Sequence, residues 1–142
     1  MAQLLVFAPC ERIIVEHGSS GVSLISLLQE VTVAPPMEGL AADAVAPTVW
    51  YVLSMWFREH DEPIEALHQR IAVQSPSGKV LTEIFTDFEL TKVSHRNIAV
   101  IQGLPVGEPG CYRLRLSLKS KDGEWAEIAS YPIELKHATT SS

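Results

Sequence analysis

Apolar and polar residues alternate strictly through Tyr112-Arg-Leu-Arg-Leu-Ser-Leu118. Successive side chains of a strand point to opposite faces, so this segment predicts a strand with one buried face. Leu104-Pro-Val-Gly-Glu-Pro-Gly-Cys111 precedes it as a Pro/Gly-rich corner. Elsewhere short β-branched and aromatic runs are cut by turn residues. They predict strands over 4–10 (continuing through 13–15), 22–33, 48–58, 67–74, 80–90, 97–102, 112–120 and 125–135. Turns are expected at 17–21 and 75–78. Helical periodicity is nearly absent; the best candidate is 61–69, with Pro63 near its start. Residues 34–47 hold three prolines, one glycine and several alanines. They read as a mobile loop that crosses from one sheet to another. About eight evenly spaced strands predict an all-β, antiparallel β-sandwich of about seven to nine strands. No internal repeat is visible, so residues 1–136 read as one domain and 137–142 as a frayed tail.

The last hairpin can be read to the residue. A two-residue Asp122-Gly123 turn would place Ile128 on the face of Ser117, against the burial pattern. A three-residue loop, Lys121-Asp122-Gly123 with Gly123 left-handed, pairs Leu118 with Ala126 and Leu116 with Ile128. Apolar parity then changes between Ile128 and Ile133. A bulge or kink near Tyr131-Pro132 would absorb the change, and Pro132 places that part of the strand at an edge.

A chain of 142 residues, 46% apolar, can bury a core without metal or disulfides. Its formal charge of −6 argues against nucleic acid and anionic membranes as partners, since both need a basic face. The nearest thing to a basic cluster is Arg113, Arg115, Lys119 and Lys121. The apolar start, Met1 to Cys10, has no cationic leader and reads as a strand rather than a signal peptide. No run approaches the ~18 apolar residues of a membrane span. A cytoplasmic location is expected, with both cysteines as free thiols.

Candidate chemistry is sparse. Pro109, Gly110 and Tyr112 form a structural tyrosine corner, in which the ring packs at the crossover and the hydroxyl bonds upstream backbone. Cys111 adjoins the tyrosine and takes the opposite face, so it does not occupy the bridge position of an immunoglobulin domain. Cys10 would need a cationic neighbour to become a nucleophile, and Arg12 is near it in sequence only. His60-Asp61-Glu62, with Glu65 and His68, is the densest titratable patch, and a solvated charged loop is its plainer reading. No zinc spacing, phosphate loop or Gly-x-Ser-x-Gly elbow occurs. No metal or cofactor is expected.

The third strand, Val49-Trp-Tyr-Val-Leu-Ser-Met-Trp-Phe57, is apolar on both faces. One face must enter the core. The other would leave Trp50, Val52 and Trp56 as an interaction surface unless loop 34–47, a second subunit or a ligand covers it. Covering about 600 Å² at ~25 cal/mol per Å² is worth roughly 15 kcal/mol before association costs. That is ample for a dimer.

Leu4-Leu-Val-Phe-Ala-Pro-Cys-Glu11, then Val15, a Gly-containing turn, Val22-Ser-Leu-Ile25 and finally Gly110-Cys-Tyr112 resemble a family of small uncharacterised bacterial proteins. The resemblance implies an immunoglobulin/fibronectin-like sandwich with no assigned activity, and it transfers no functional residue. Function is therefore expected to be a non-enzymatic binding or assembly module, with a homo-oligomer or another protein as partner. A carbohydrate- or small-ligand-binding domain using Trp50, Trp56 or Trp125 as platforms is one alternative. An enzyme using Cys10 or the His60–His68 patch is the other.

Overall fold

A computed structural model describes residues 2–18, 21–34 and 40–138. Its regular elements are nine strands: β1 (Gln3–Val15), β2 (Val22–Leu27), β3 (Glu30–Val33), β4 (Val45–Phe57), β5 (Ala66–Gln74), β6 (Val80–Glu89), β7 (Ser94–Pro105), β8 (Gly110–Ser120) and β9 (Ala126–His137). They form two sheets. The first has four strands in the order β2-β1-β4-β7, and the second has five in the order β3-β9-β8-β5-β6.

The two inner faces meet in one core. Trp50, Val52, Trp56, Ala99 and Ile101 come from the first sheet. Leu67, Ile71, Val73, Leu114, Leu116 and Leu135 come from the second. A polar hub lies inside this apolar layer. Gln69 Oε1 accepts from Ser54 Oγ at 2.7 Å, Trp56 Nε1 at 2.9 Å and Asn97 Nδ2 at 3.3 Å. Donors from β4 and β7 thus converge on an acceptor from β5 and set the two sheets against each other. A buried amide oxygen is tolerated there because its bonding capacity is filled.

The long strand expected over 22–33 is in fact two strands in different sheets. Ser26 takes a left-handed conformation, φ 57°. Leu28 N–H still donates to Pro9 O at 3.0 Å in the first sheet, whereas Gln29 O already accepts from Glu134 N–H at 2.9 Å in the second. The chain therefore changes sheets between adjacent residues. β3 then runs parallel to β9, the one departure from antiparallel pairing among the described strands. The return from β3 to β4 crosses back to the first sheet, as expected of loop 34–47, but β4 already begins at Val45, inside that segment, where Val45 and Ala46 pair with Pro105 and Leu104; residues 35–39 lie outside the described part. So do Ser19 and Ser20 of the expected 17–21 turn.

No helix forms over 61–69. Residues from 61 make a turn, and β5 begins at Ala66. Pro63 lacks an N–H and discourages helix in the residue before it, so one weak stripe had nothing to sustain it. The turn at 75–78 is present, closed by Gly78 N–H to Ser75 O at 2.9 Å.

In the last hairpin Leu118 does pair with Ala126, but Leu116 pairs with Ala129 rather than Ile128. The parity change falls on Ile128, earlier than the expected kink at Tyr131-Pro132, and Ile128 is exposed as the extra residue of the bulge. Gly123 is not left-handed. Its N–H bonds Ser120 O at 3.1 Å, and β9 starts only at Ala126, which leaves Trp125 in the loop. Pro132 does lie on an open edge, because β3 covers only Glu134 to His137. His137 and Ala138, expected in the frayed tail, are held in place. The His137 ring donates to Val106 O at 2.8 Å and Ala138 N–H donates to Val33 O at 2.8 Å. Residues 139–142 lie outside the described part.

Candidate interaction surface

The proposed surface of Trp50, Val52 and Trp56 is the inner face of β4, not an outer one. Val52 and Trp56 are 0% exposed and Trp50 is 2%. Trp50 Nε1 donates to Gly103 O at 3.0 Å, Trp56 Nε1 is bound to Gln69, and the Trp56 ring stacks on Phe88 at 6.2 Å. The cover is the second sheet. The larger rings go inside because burying them removes the most apolar area from water. The missed clue was the parity of β5. Leu67, Ile71 and Val73 place Gln69 on an otherwise apolar face, and Ser54 shares parity with Trp50 and Trp56. Polar residues in such positions mark a buried hydrogen bond.

The face of β4 that looks away from the core is also apolar. Cross-strand partners share a face. The registers therefore place Leu27, Cys10, Tyr51 and Val100 in one row that spans β2, β1, β4 and β7. Ala8, Leu53 and Ile98 form the next row, and Val6 and Met55 begin a third that ends on Arg96. Ala8, Cys10 and Leu53 are buried at the centre of this face, and Tyr51 and Met55 are half-buried. Val100 is 53% exposed, Leu27 50% and Val49 45%, with Ile25 and Ile98 also open. The charged groups Arg12 and Arg96 stand at its margins, opposite Ile25 and Met55. At ordinary strand spacing and rise, the face measures about 15 Å across and 20 Å along the strands. The open apolar residues thus flank a buried centre, with Ile25 and Leu27 of β2 on one side and Val49, Ile98 and Val100 of β4 and β7 on the other.

The remaining candidates are dispersed. Cys10 is wholly buried and Cys111 exposed; both are free, and they sit in different sheets. Burial pushes the Cys10 thiol up from its ordinary 9.0, and backbone hydrogen bonds at Arg12 and Ile25 only partly oppose this. That direction is opposite to the one a nucleophile needs. His68 Nδ1 meets Asp87 Oδ1 at 2.6 Å across the β5–β6 pair, while His60 lies exposed in the turn before β5. Among the described residues no three His, Cys, Asp or Glu side chains are placed to hold a metal. No helix among them is long and apolar enough to cross a membrane.

Tyr112 is buried, and its hydroxyl donates to Glu108 O at 2.6 Å. Gly110 sits at φ 135°, against the Pro76 side chain of the β5–β6 turn. Ser77 Oγ donates to Glu108 Oε2 at 3.1 Å, and so ties the same turn to the corner. This corner is scaffold, and its tyrosine belongs to the other sheet from the apolar outer face. The sequence matches no protein-family model and no curated protein at a significant level.

Proposed function

We propose that this chain is a non-enzymatic assembly module that pairs with a second copy of itself through the outer face of the first sheet. The observation that carries this reading is the uninterrupted row Leu27-Cys10-Tyr51-Val100, apolar across all four strands. An isologous contact must complement itself. A face with an apolar centre and charges only at its margins can do so, whereas a face of one sign throughout would repel its copy. A stable interface buries about 800 Å² per partner, and this patch supplies a substantial part of that. The polar margin, with Arg12 and Arg96, would supply the rest. The expected dimer is therefore of micromolar rather than picomolar affinity.

The finer fold reading belongs to the same proposal. Strands β9-β8-β5-β6 on one side and β4-β7 on the other follow the immunoglobulin order G-F-C-C′ and B-E. Tyr112 opens the strand that corresponds to F, where a tyrosine corner belongs. These features support an immunoglobulin/fibronectin-like sandwich. They also fit the likeness of the Leu4–Glu11, Val22–Ile25 and Gly110–Tyr112 segments to the uncharacterised bacterial family.

Light scattering after size exclusion tests the assembly. The 15.6 kDa chain should show a mass rising toward twice that value with concentration. Val100→Lys places a charge on the exposed face without touching the core and should hold the mass at one chain. A wild-type protein that stays monomeric at roughly 100 μM, well above a micromolar Kd, would refute the reading.

A further inference from the structure

The second sheet also has an outer face, and it differs in kind. Its registers bring Arg70, Ala72 and Gln74 of β5, Arg115 and Ser117 of β8, and Glu83 and Phe85 of β6 to that side. Ala72 is the small residue in the middle, and longer side chains surround it. The result is a depression of about 350 Å³ over Ala72. That volume lies at the lower end of the range for small-molecule sites.

One wall is Trp125, which the hairpin loop brings over this face. It is 36% exposed, and it alone of the tryptophans is not core. Its ring is fixed rather than loose. Arg70 Cζ lies 5.1 Å and Lys119 Nζ 5.8 Å from its centroid, and Phe85 meets it edge-on at 6.1 Å. Stacking of this kind pre-organises an aromatic platform before any ligand arrives.

Both signs of charge meet here, and the depression itself is lined by Arg70 and Arg115 together with Glu83 and Glu127. Arg70, Arg113, Arg115 and Lys119 share the face with Glu83, Glu127 and Asp87. Asp87 is held by His68, and Glu127 by Arg115 at 3.2 Å. Arg70 has no carboxylate partner among the described residues. Its Nε is shut off from water without a hydrogen bond, and its Nη2 reaches Ser117 Oγ only at 3.5 Å. A guanidinium held by stacking and without a carboxylate partner can take an anion by charge-assisted hydrogen bonds. Gln74, Ser117 and Glu83 add hydroxyl-binding groups around the same depression.

We propose that the depression over Ala72 binds an acidic sugar, a hexuronate of one or two rings. The sugar's C–H groups pack against the part of the Trp125 ring that Arg70 and Lys119 leave open, its carboxylate meets Arg70, and its hydroxyls bond Gln74, Ser117 and Glu83. The site is independent of the assembly face, which belongs to the other sheet.

Digalacturonate added to ¹⁵N-labelled protein tests this. Trp50 and Trp56 indole N–H groups are bonded inside the core, so their cross-peaks serve as a fold control. Digalacturonate should move the Trp125 indole peak saturably below about 10 mM and leave the other two in place. Arg70→Gln should weaken that binding at least about tenfold. Trp125→Ala, followed through backbone amides of β5 and β8, should abolish it. Cellobiose and acetate, each carrying half of the chemistry, should bind about tenfold more weakly or not at all. No saturable shift with digalacturonate overturns the site. So does an equal response to cellobiose or acetate, or unchanged binding in Arg70→Gln.

Discussion

At the scale of single residues, Tyr112 shows how one side chain closes a corner. Its ring fills the core and its hydroxyl satisfies the Glu108 carbonyl. Tyr112→Phe keeps the ring and removes the bond. It should cost about 1–2 kcal/mol, read as a lower urea midpoint with an unchanged slope. Burial first, and the Glu108 charge with it, raise the phenol above its ordinary 10.0. Burial likewise raises Cys10 above 9.0. Both folded-state values lie above the unfolded ones. The stability linked to them is therefore present below pH 9 and is lost as pH climbs through the folded values. Urea midpoints should fall steadily from pH 9 to pH 11, and less steeply in Tyr112→Phe. A flat profile would contradict the burial of these groups. Gln69 is the converse case. Its side chain looks misplaced in a strand of Leu, Ile and Val until three donors are seen to converge on it.

At the scale of elements, departures from regular pairing do most to shape the molecule. The step between Leu28 and Gln29 takes the chain out of the first sheet, the Ile128 bulge resets the parity of β9, and Gly110 starts β8 in a conformation closed to other residues. A Cβ at Gly110 would lie 2.9 Å from Pro76 Cβ and Cγ, at φ 135°. Gly110→Ala should therefore destabilise by about 1–3 kcal/mol, visible as a lower thermal midpoint. Ala at the exposed Glu124 should change little by comparison. An equal effect at the two sites would mean that the corner is not under this constraint.

Elements were legible in unequal measure. Strands β5 to β8 stand within about three residues of their sequence reading, because each is bounded by a turn, a proline or a glycine. The split of 22–33 was not legible. Apolar residues recur at Leu24, Ile25, Leu27, Leu28 and Val31 with no glycine or proline among them, and the step between sheets shows only in the hydrogen bonds of Leu28 and Gln29. The Ile128 bulge was half-visible: the parity change is written in the residues, but its position depends on which residue β8 leaves unpaired.

At the scale of the whole molecule, two outer faces offer different chemistry. The first sheet turns Tyr51, Val100 and Leu27 outward, and the second turns arginines and Trp125 outward. Cys10 lies in the middle of the first of these faces and Cys111 on the far sheet. Under native conditions one thiol per chain, Cys111, should react rapidly with a small disulfide reagent. Cys10 should react only at the rate of unfolding, and more slowly still as concentration drives assembly. Two fast thiols would place Cys10 in the open and weaken the assembly face with it.

Alternation, turn residues and the tyrosine beside Pro109-Gly110 determined an all-β chain and most strand positions, because these depend on local conformation and a period of two. They also determined that the third strand is apolar on both sides. They did not determine which side faces inward. Trp50, Val52 and Trp56 looked like an unpaired surface, and the structure makes them core. That choice rests on contacts between residues far apart in the chain: Gln69 opposite Ser54 and Trp56, and Phe88 against the Trp56 ring. Parity along one strand is local, but the layer that covers a face is not. The outward face of that strand, and the depression that gathers Arg70, Ala72 and Trp125, come into being only when the two sheets close.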